Sequence, residues 1–213
     1  MDSPRPFDPD DRRINVALMI PCTEAEGPGS RCAIWVQGCP MRCPGCCNPE
    51  MLEFVEARRV TAAELLAEVL AAHAAHPIEG VTLLGGEPFA QAEALAPLCL
   101  GLRAAGLTVM VFSGYTRASL ERSARPGVRA LLDAIDLLVD GPFMRDQLDH
   151  ERRWIGSKNQ QAYALTDEYT DLVERWDTSP NTLEVRVIDG KLVVNGSPFL
   201  MDKLGRTTRL NEP

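Results

Sequence analysis

Four short apolar runs, at residues 32–37, 81–84, 108–112 and 135–139, each end in a glycine-bearing turn, and helix-patterned stretches separate them. The turns are Gly38 ahead of a group of cysteines, then Gly85-Gly86-Glu87-Pro88, Ser113-Gly114-Tyr115 and Asp140-Gly141-Pro142. Runs this short and apolar read as strands buried on both faces, and a further run at 14–20 precedes them. Alternation of strands and helices calls for parallel strands joined by right-handed crossovers, in an open sheet or a partial barrel. Either α/β arrangement gathers ligands at the C-terminal edge of the strands, where all four turns fall.

The helices between these runs carry their own signals. Thr61-Ala-Ala-Glu64 is a capping box that opens an alanine- and leucine-rich helix ending before Pro77. A second helix covers 90–105 despite Pro97 and closes at Gly106, and one or two short helices cover 117–134. Beyond Gly156-Ser-Lys-Asn-Gln160 the pattern changes to an amphipathic helix near 167–176 and two β-rich runs, 183–188 and 191–194, around Asp189-Gly190. Asp-Gly between such runs signals a hairpin, placed here as an antiparallel addition to the main sheet or a small flap. The expected organisation is a flexible arm at 1–13, a core at 14–160, and a helix and hairpin extension at 161–213 packed on that core.

The first turn carries the chemistry. Cys39, Cys43 and Cys46 are spaced C-x3-C-x2-C, and Cys47 follows directly. Thiolates are soft donors suited to iron-sulfur clusters or zinc, and closed structural sites usually recruit a fourth protein ligand. Three cysteines suit a cluster with one iron left open, while a zinc knuckle completed by Cys47 or a distant residue is the alternative at this point. Gly85 and Gly86 let the backbone come close, Glu87 adds a carboxylate, and Pro88 fixes the exit. Taken alone, that stretch is an ordinary tight turn with a Glu.

Composition narrows the class. The 213-residue chain has the length of one domain, and its formal net charge of −8 argues against a partner held by its phosphate backbone. Neither an apolar signal core near the N-terminus nor a membrane-length run is present, so a cytoplasmic protein with reduced thiols is expected. Cys22, Cys32 and Cys99 sit in apolar or turn contexts and read as small buried hydrophobes.

Cysteine motif and glycine-glutamate turn together resemble the radical S-adenosylmethionine superfamily, which carries C-x3-C-x2-C after the first strand and a GGE-type motif after the second. Within it, Gly27-Pro-Gly-Ser-Arg31, Gln37-Gly38-Cys39, Phe112-Ser-Gly-Tyr-Thr116, Leu138-Val-Asp-Gly-Pro-Phe143 and Gly156-Ser-Lys-Asn-Gln160 are most similar to the activating proteins of anaerobic ribonucleoside-triphosphate reductase. The resemblance spans about residues 14–160 and implies a partial (β/α)6-type barrel with the hairpin added at the C-terminus. It also implies a [4Fe-4S] cluster on Cys39, Cys43 and Cys46, with S-adenosylmethionine on the open iron. Reductive cleavage there yields a 5′-deoxyadenosyl radical that takes a hydrogen from a glycine of a large glycyl-radical partner, with a flavodoxin-like protein as reductant. The cofactors carry that chemistry, so no side chain is assigned a catalytic role.

By the same resemblance Gly85, Gly86 and Glu87 would meet the methionine amino group. Ser113 and Asp140 are placed to reach its carboxylate, the ribose or a cation, though either residue could simply satisfy its own turn. Asn159 and Gln160 match a family stretch and could equally be loop amides. Two departures stand out. Cys47 occupies the position where an aromatic residue usually packs near the adenine, and the chain continues well past the point where short activating proteins stop. Two other readings are a radical S-adenosylmethionine enzyme modifying a peptide or small molecule, and a non-enzymatic zinc-stabilised binding module. The lack of cysteines after Cys99 argues against auxiliary clusters and leans towards the activase.

Overall fold

The computed structural model describes residues 12–188 and 190–197. Residues 1–11 of the expected arm, Asp189 of the hairpin turn and residues 198–213 of the extension lie outside that set. Strands β1 (Ile14–Thr23), β2 (Arg31–Val36), β3 (Arg58–Val60), β4 (Gly80–Gly85), β5 (Thr108–Phe112), β6 (Leu137–Asp140) and β7 (Gln161–Ala164) form one sheet in the order β3-β1-β2-β4-β5-β6-β7. Its centre, β2-β4-β5-β6, is parallel. Its outer strands β3, β1 and β7 pair antiparallel.

The sheet is thus mixed α/β with four parallel strands, where a (β/α)6 repeat would supply six. The cause lies in connection length. Only residues 24–30 join β1 to β2, too few for the dozen or so that a parallel crossover needs, so the two strands turn back on each other. Strand β7 pairs antiparallel with β6 for a different reason: residues 141–160 are long enough for a crossover but form a loop with one 3-10 turn rather than a helix.

Period-two alternation sends the strand residues to two layers. On one face Cys32, Ile34, Val36, Val81, Leu83, Val109 and Val111 pack on helices α1 (Ala62–Ala75), α2 (Ala92–Ala104) and α4 (Val128–Asp133), with α3 (Arg117–Glu121) beside them. The capping box expected at α1 is present: the Glu64 amide donates to Thr61 Oγ1 at 3.2 Å and the Thr61 amide donates to Glu64 Oε2 at 2.8 Å. Cys32 and Cys99 are buried in this layer, and Cys22 packs half-buried against it.

The opposite face, formed by Ala33, Trp35, Leu84, Met110, Leu137 and Val139, has no long helix over it among the described residues. Ile155, Tyr169, Trp176 and Val193 cover it instead, all from late in the chain. Short helix α5 (Thr170–Glu174) belongs to this cover, as does the hairpin of β8 (Leu183–Ile188) and β9 (Lys191–Gly196). The hairpin is a separate two-stranded sheet, the flap rather than the addition to the main sheet. A polar latch holds it: Thr23 Oγ1 donates to Glu184 Oε2 at 2.7 Å, Arg186 donates to the Cys22 carbonyl at 2.7 Å, and Asn195 Nδ2 donates to Thr23 Oγ1 at 3.0 Å and Glu26 Oε1 at 3.2 Å.

Candidate functional site

The cysteines occupy the long connection from β2 to β3, whose two limbs are stitched together at its mouth. Gly38 donates to the Met51 carbonyl at 2.9 Å and Cys39 to that of Leu52 at 3.1 Å. Cys39 is buried, while Cys43, Cys46 and Cys47 are half-buried. Backbone amides point at the sulfurs: those of Met41 and Arg42 reach Cys39, that of Phe143 reaches Cys43, and that of Asn48 reaches Cys46 at 3.4 Å. Burial dominates and pushes the Cys39 and Cys43 thiols above the usual cysteine range. Three soft donors on one loop, met by amides that favour their charged form, fit an iron-sulfur cluster. Among the described residues no three His, Cys, Asp or Glu side chains form a cage for a single metal ion.

Turn 85–88 lies against this loop. The Gly86 amide donates to the Val36 carbonyl at 2.7 Å and the Glu87 amide to the Gly38 carbonyl at 2.9 Å. Gly85 has φ +101°, and a side chain there would run into Trp35. A Cβ on Gly86 would stand 2.3 Å from the Gly38 carbonyl oxygen. The two glycines are therefore what lets the turn touch the cysteine loop.

Glu87 is 1% exposed and binds the next turn in the row. Its carboxylate accepts from the Phe89 amide at 2.9 Å, Ser113 Oγ at 2.9 Å and the Gly114 amide at 2.7 Å. Loss of water raises the Glu87 carboxyl to about 7, against the pull of those three donors. Ser113 Oγ also accepts from the Tyr115 amide at 3.1 Å, and the Ser113 amide donates to Val139 at the end of β6. Asp140 accepts from the amides of Arg117 and Gln161, and burial lifts its carboxyl above the ordinary value.

The sequence-derived residues Cys39, Cys43, Cys46, Gly85, Gly86, Glu87, Ser113 and Asp140 thus fall on adjacent loops at one edge, with Ser113 bonded both to Glu87 and within its own turn and Asp140 to the amides of Arg117 and Gln161. Asn159 and Gln160 brace the turn after β6: Asn159 Nδ2 donates to the Pro142 carbonyl at 2.8 Å and Gln160 Nε2 to that of Gly141 at 3.1 Å. Cys47 hydrogen-bonds to Cys46, which, with burial, pushes its thiol far up, and Glu26 adds to the push from within electrostatic range.

Sequence reasoning assigned no role to four participants. The turn residues Phe143 and Arg145 close over the cysteine loop, Arg145 packing its side chain against Gly45. Glu26 is a buried carboxyl on the flap side. Gln91, 5% exposed, joins β1 to the mouth of the cysteine loop. Each acts through residues far along the chain, and a lone polar residue in a turn or helix start gives no signal of that.

Comparison with known proteins follows this geometry. The family model described as "4Fe-4S single cluster domain" matches residues 25–163. The anaerobic ribonucleoside-triphosphate reductase-activating protein of Vibrio cholerae is 34% identical over 159 residues, covering 72% of this chain and 99% of that protein. Proteins of the same description from Haemophilus influenzae, over 69% of this chain and 96% of the relative, and from Escherichia coli K12, over 71% and 99%, are each 29% identical. The solved structure of QueE from Escherichia coli overlaps 51% of this chain and 56% of its own at 21% identity, and its TM-score of 0.40 is too low to bear on the fold. Three thiols on one loop, the glycine-glutamate turn locked to it, and relatives matched along almost their whole length lead to one assignment: the chain belongs to the family of anaerobic ribonucleoside-triphosphate reductase-activating proteins and carries a 4Fe-4S single-cluster domain.

Proposed function

We propose that this protein is a radical S-adenosylmethionine oxidoreductase that installs a glycyl radical on a large partner of the anaerobic ribonucleotide reductase type. One observation carries the reading: the amides of Gly86 and Glu87 are bonded to the strand end and loop that hold the cysteines, so cluster site and glycine-glutamate turn form one unit. When bound, a [4Fe-4S] cluster on Cys39, Cys43 and Cys46 together with S-adenosylmethionine supplies one-electron cleavage of the sulfonium and a hydrogen-abstracting 5′-deoxyadenosyl radical.

The chain's part is placement. Gly85 and Gly86 present backbone at the site, and Glu87 receives the methionine ammonium group. A carboxylate has about four acceptor positions. Phe89, Ser113 and Gly114 take three of them, which leaves room for one further donor. Ser113 and Asp140 border the site from β5 and β6, towards the methionine carboxylate, ribose or a cation. The same reading takes the sheet as a partial barrel, residues 14–160 as its core and 161–213 as an extension packed on it, although β7 already belongs to the main sheet. It places the protein in the cytoplasm, reduced by a flavodoxin-like donor. The net charge of −8 supports the absence of a nucleic-acid partner, and among the described residues no helix is long and apolar enough to cross a membrane.

Anaerobic reconstitution tests this directly. The chain should retain about four irons and four sulfides, and dithionite with S-adenosylmethionine should release 5′-deoxyadenosine. A partner glycyl radical should then appear by EPR. Zinc alone, without cleavage, would sink the radical chemistry, whereas cleavage with no partner radical would sink only the activase assignment.

A further inference from the structure

In a regular antiparallel ladder a hydrogen-bonded pair exchanges two backbone bonds. Asn15 of β1 and Gln37, just past the end of β2, make only one: the Gln37 amide donates to the Asn15 carbonyl at 2.9 Å. The reciprocal bond is relayed through a side chain. The Asn15 amide donates to Gln91 Oε1 at 2.7 Å, and Gln91 Nε2 donates to the Gln37 carbonyl at 3.0 Å, with the Asn15 carbonyl 3.4 Å away. A side-chain amide is thus inserted where the strands would otherwise meet, at the point where the cysteine loop leaves the sheet.

Asn15 and Gln37 pass the constraint to the loop's other limb. Asn15 Nδ2 donates to the Val55 carbonyl and Asn15 Oδ1 accepts from the Ala57 amide, both at 2.8 Å. Gln37 Nε2 donates to the Glu50 carbonyl at 3.1 Å and the Glu53 carbonyl at 2.8 Å. Asn15, Gln37 and Gln91 are 0%, 6% and 5% exposed, so water cannot readily replace any of these bonds. Gln91 also ends the 3-10 turn Pro88–Gln91 that Glu87 caps. It therefore joins the glycine-glutamate turn to both limbs of the cysteine loop.

We propose that Gln91 is a positioning residue for the cluster: its amide, wedged between β1 and β2, sets the direction in which residues 38–47 leave the sheet and couples that direction to the glycine-glutamate turn. It acts through Gln37 and Asn15. The inference rests on the cluster reading given above.

Two substitutions separate positioning from bulk stability. Gln91→Met keeps an unbranched side chain of similar length and loses both hydrogen-bonding ends, whereas Gln91→Glu keeps an acceptor for Asn15 and loses the donor to Gln37. Leu95→Val, a core change on α2 away from the loop, serves as a control of general destabilisation. Measured are the rate at which a chelator strips iron from the reconstituted protein, the EPR spectrum of the reduced protein, and the thermal midpoint of the cluster-free chain. Both Gln91 variants should lose iron on the order of tenfold faster, the effect of leaving a buried hydrogen-bonding group unmatched. Their EPR spectra should shift, while Leu95→Val should match the unsubstituted protein in both readouts. If Gln91→Met does not fold, Gln91→Glu carries the comparison. Iron loss and spectra equal to those of Leu95→Val overturn the positioning role, whatever the thermal midpoints do. An unsubstituted chain that retains no iron overturns the cluster reading and this proposal with it, a result distinct from the first.

Discussion

A methyl group on Gly86 has no free space to enter. The Gly38 carbonyl oxygen would stand 2.3 Å from it and the Gly38 carbonyl carbon 2.8 Å, and both are backbone atoms of the cysteine loop. Gly86→Ala should therefore push the loop off the turn, costing about 1–3 kcal/mol in the cluster-free chain. It should also lower iron retention after reconstitution, which iron analysis on the desalted protein would check; unchanged retention would show that the contact is dispensable. The turn Gly85-Gly86-Glu87 was legible in the sequence because it ends an apolar run and, with the cysteine motif, resembles a family pattern. Gln91 was not, because its partners lie 76 and 54 positions away and no local rule connects them. Glu87 was legible as part of a strand-end turn, but its place as a brace between two turns depends on the Ser113 hydroxyl and Gly114 amide, which only the folded sheet brings near.

Among the elements, β1 and the terminal hairpin show where local reading stops. The apolar run of β1 was plain, yet its antiparallel pairing followed from the shortness of residues 24–30 rather than from its composition. Strand β7, Gln-Ala-Tyr-Ala, has no β-branched residue and escaped notice; it is a strand because β6 offers it an edge. The hairpin was foreseen from Asp-Gly between alternating runs, but its docking partner was not. Asn195, 2% exposed, is the centre of the latch, accepting from Arg186 at 2.8 Å while donating to Thr23 and Glu26. Asn195→Leu should free the hairpin at a cost of about 1–3 kcal/mol. Hydrogen exchange should quicken across β8 and β9 while the amides of β2, β4 and β5 keep their protection. Equal protection of the hairpin in both proteins would show that Val193 and the remaining latch residues suffice.

For the molecule as a whole, buried carboxyls set the response to pH. Desolvation raises Glu26 and Glu87 from 4.5 to about 7 each. An unfolded chain gives up these protons near 4.5, whereas the folded chain keeps them to about 7. Their contribution to stability is therefore full below 4.5, falls as pH rises through that window, and is level above it. Asp149, Asp177 and Glu184 are lowered by their hydrogen bonds and ion pairs and act in the opposite sense, at more acid pH. The cluster-free protein should be more stable at pH 5 than at pH 8, with each carboxyl contributing up to roughly 3 kcal/mol to the difference. Glu26→Gln should remove about half of it in urea titrations at the two values; an undiminished difference would mean that Glu26 ionises freely in the folded chain. At this scale the parallel core was legible from alternation alone, since four buried runs admit few other arrangements. The cover over the opposite face was not, because it is built from residues late in the chain meeting residues 17–26.

That meeting has a consequence for synthesis. The bond from Thr23 to Glu184 spans 161 residues. A ribosome delivers the N-terminal part first, so every strand of the main sheet and the three cysteines of the C-x3-C-x2-C motif emerge before the flap exists. At the usual rates of elongation a few seconds separate the last strand of the sheet from the end of the hairpin. During that interval the face that Val193 later covers is open to water, to small solutes and to whatever delivers iron and sulfide. The flap is thus made after the cysteine loop beside which it helps to cover the sheet, so the order of translation sets the order in which the two are available for assembly.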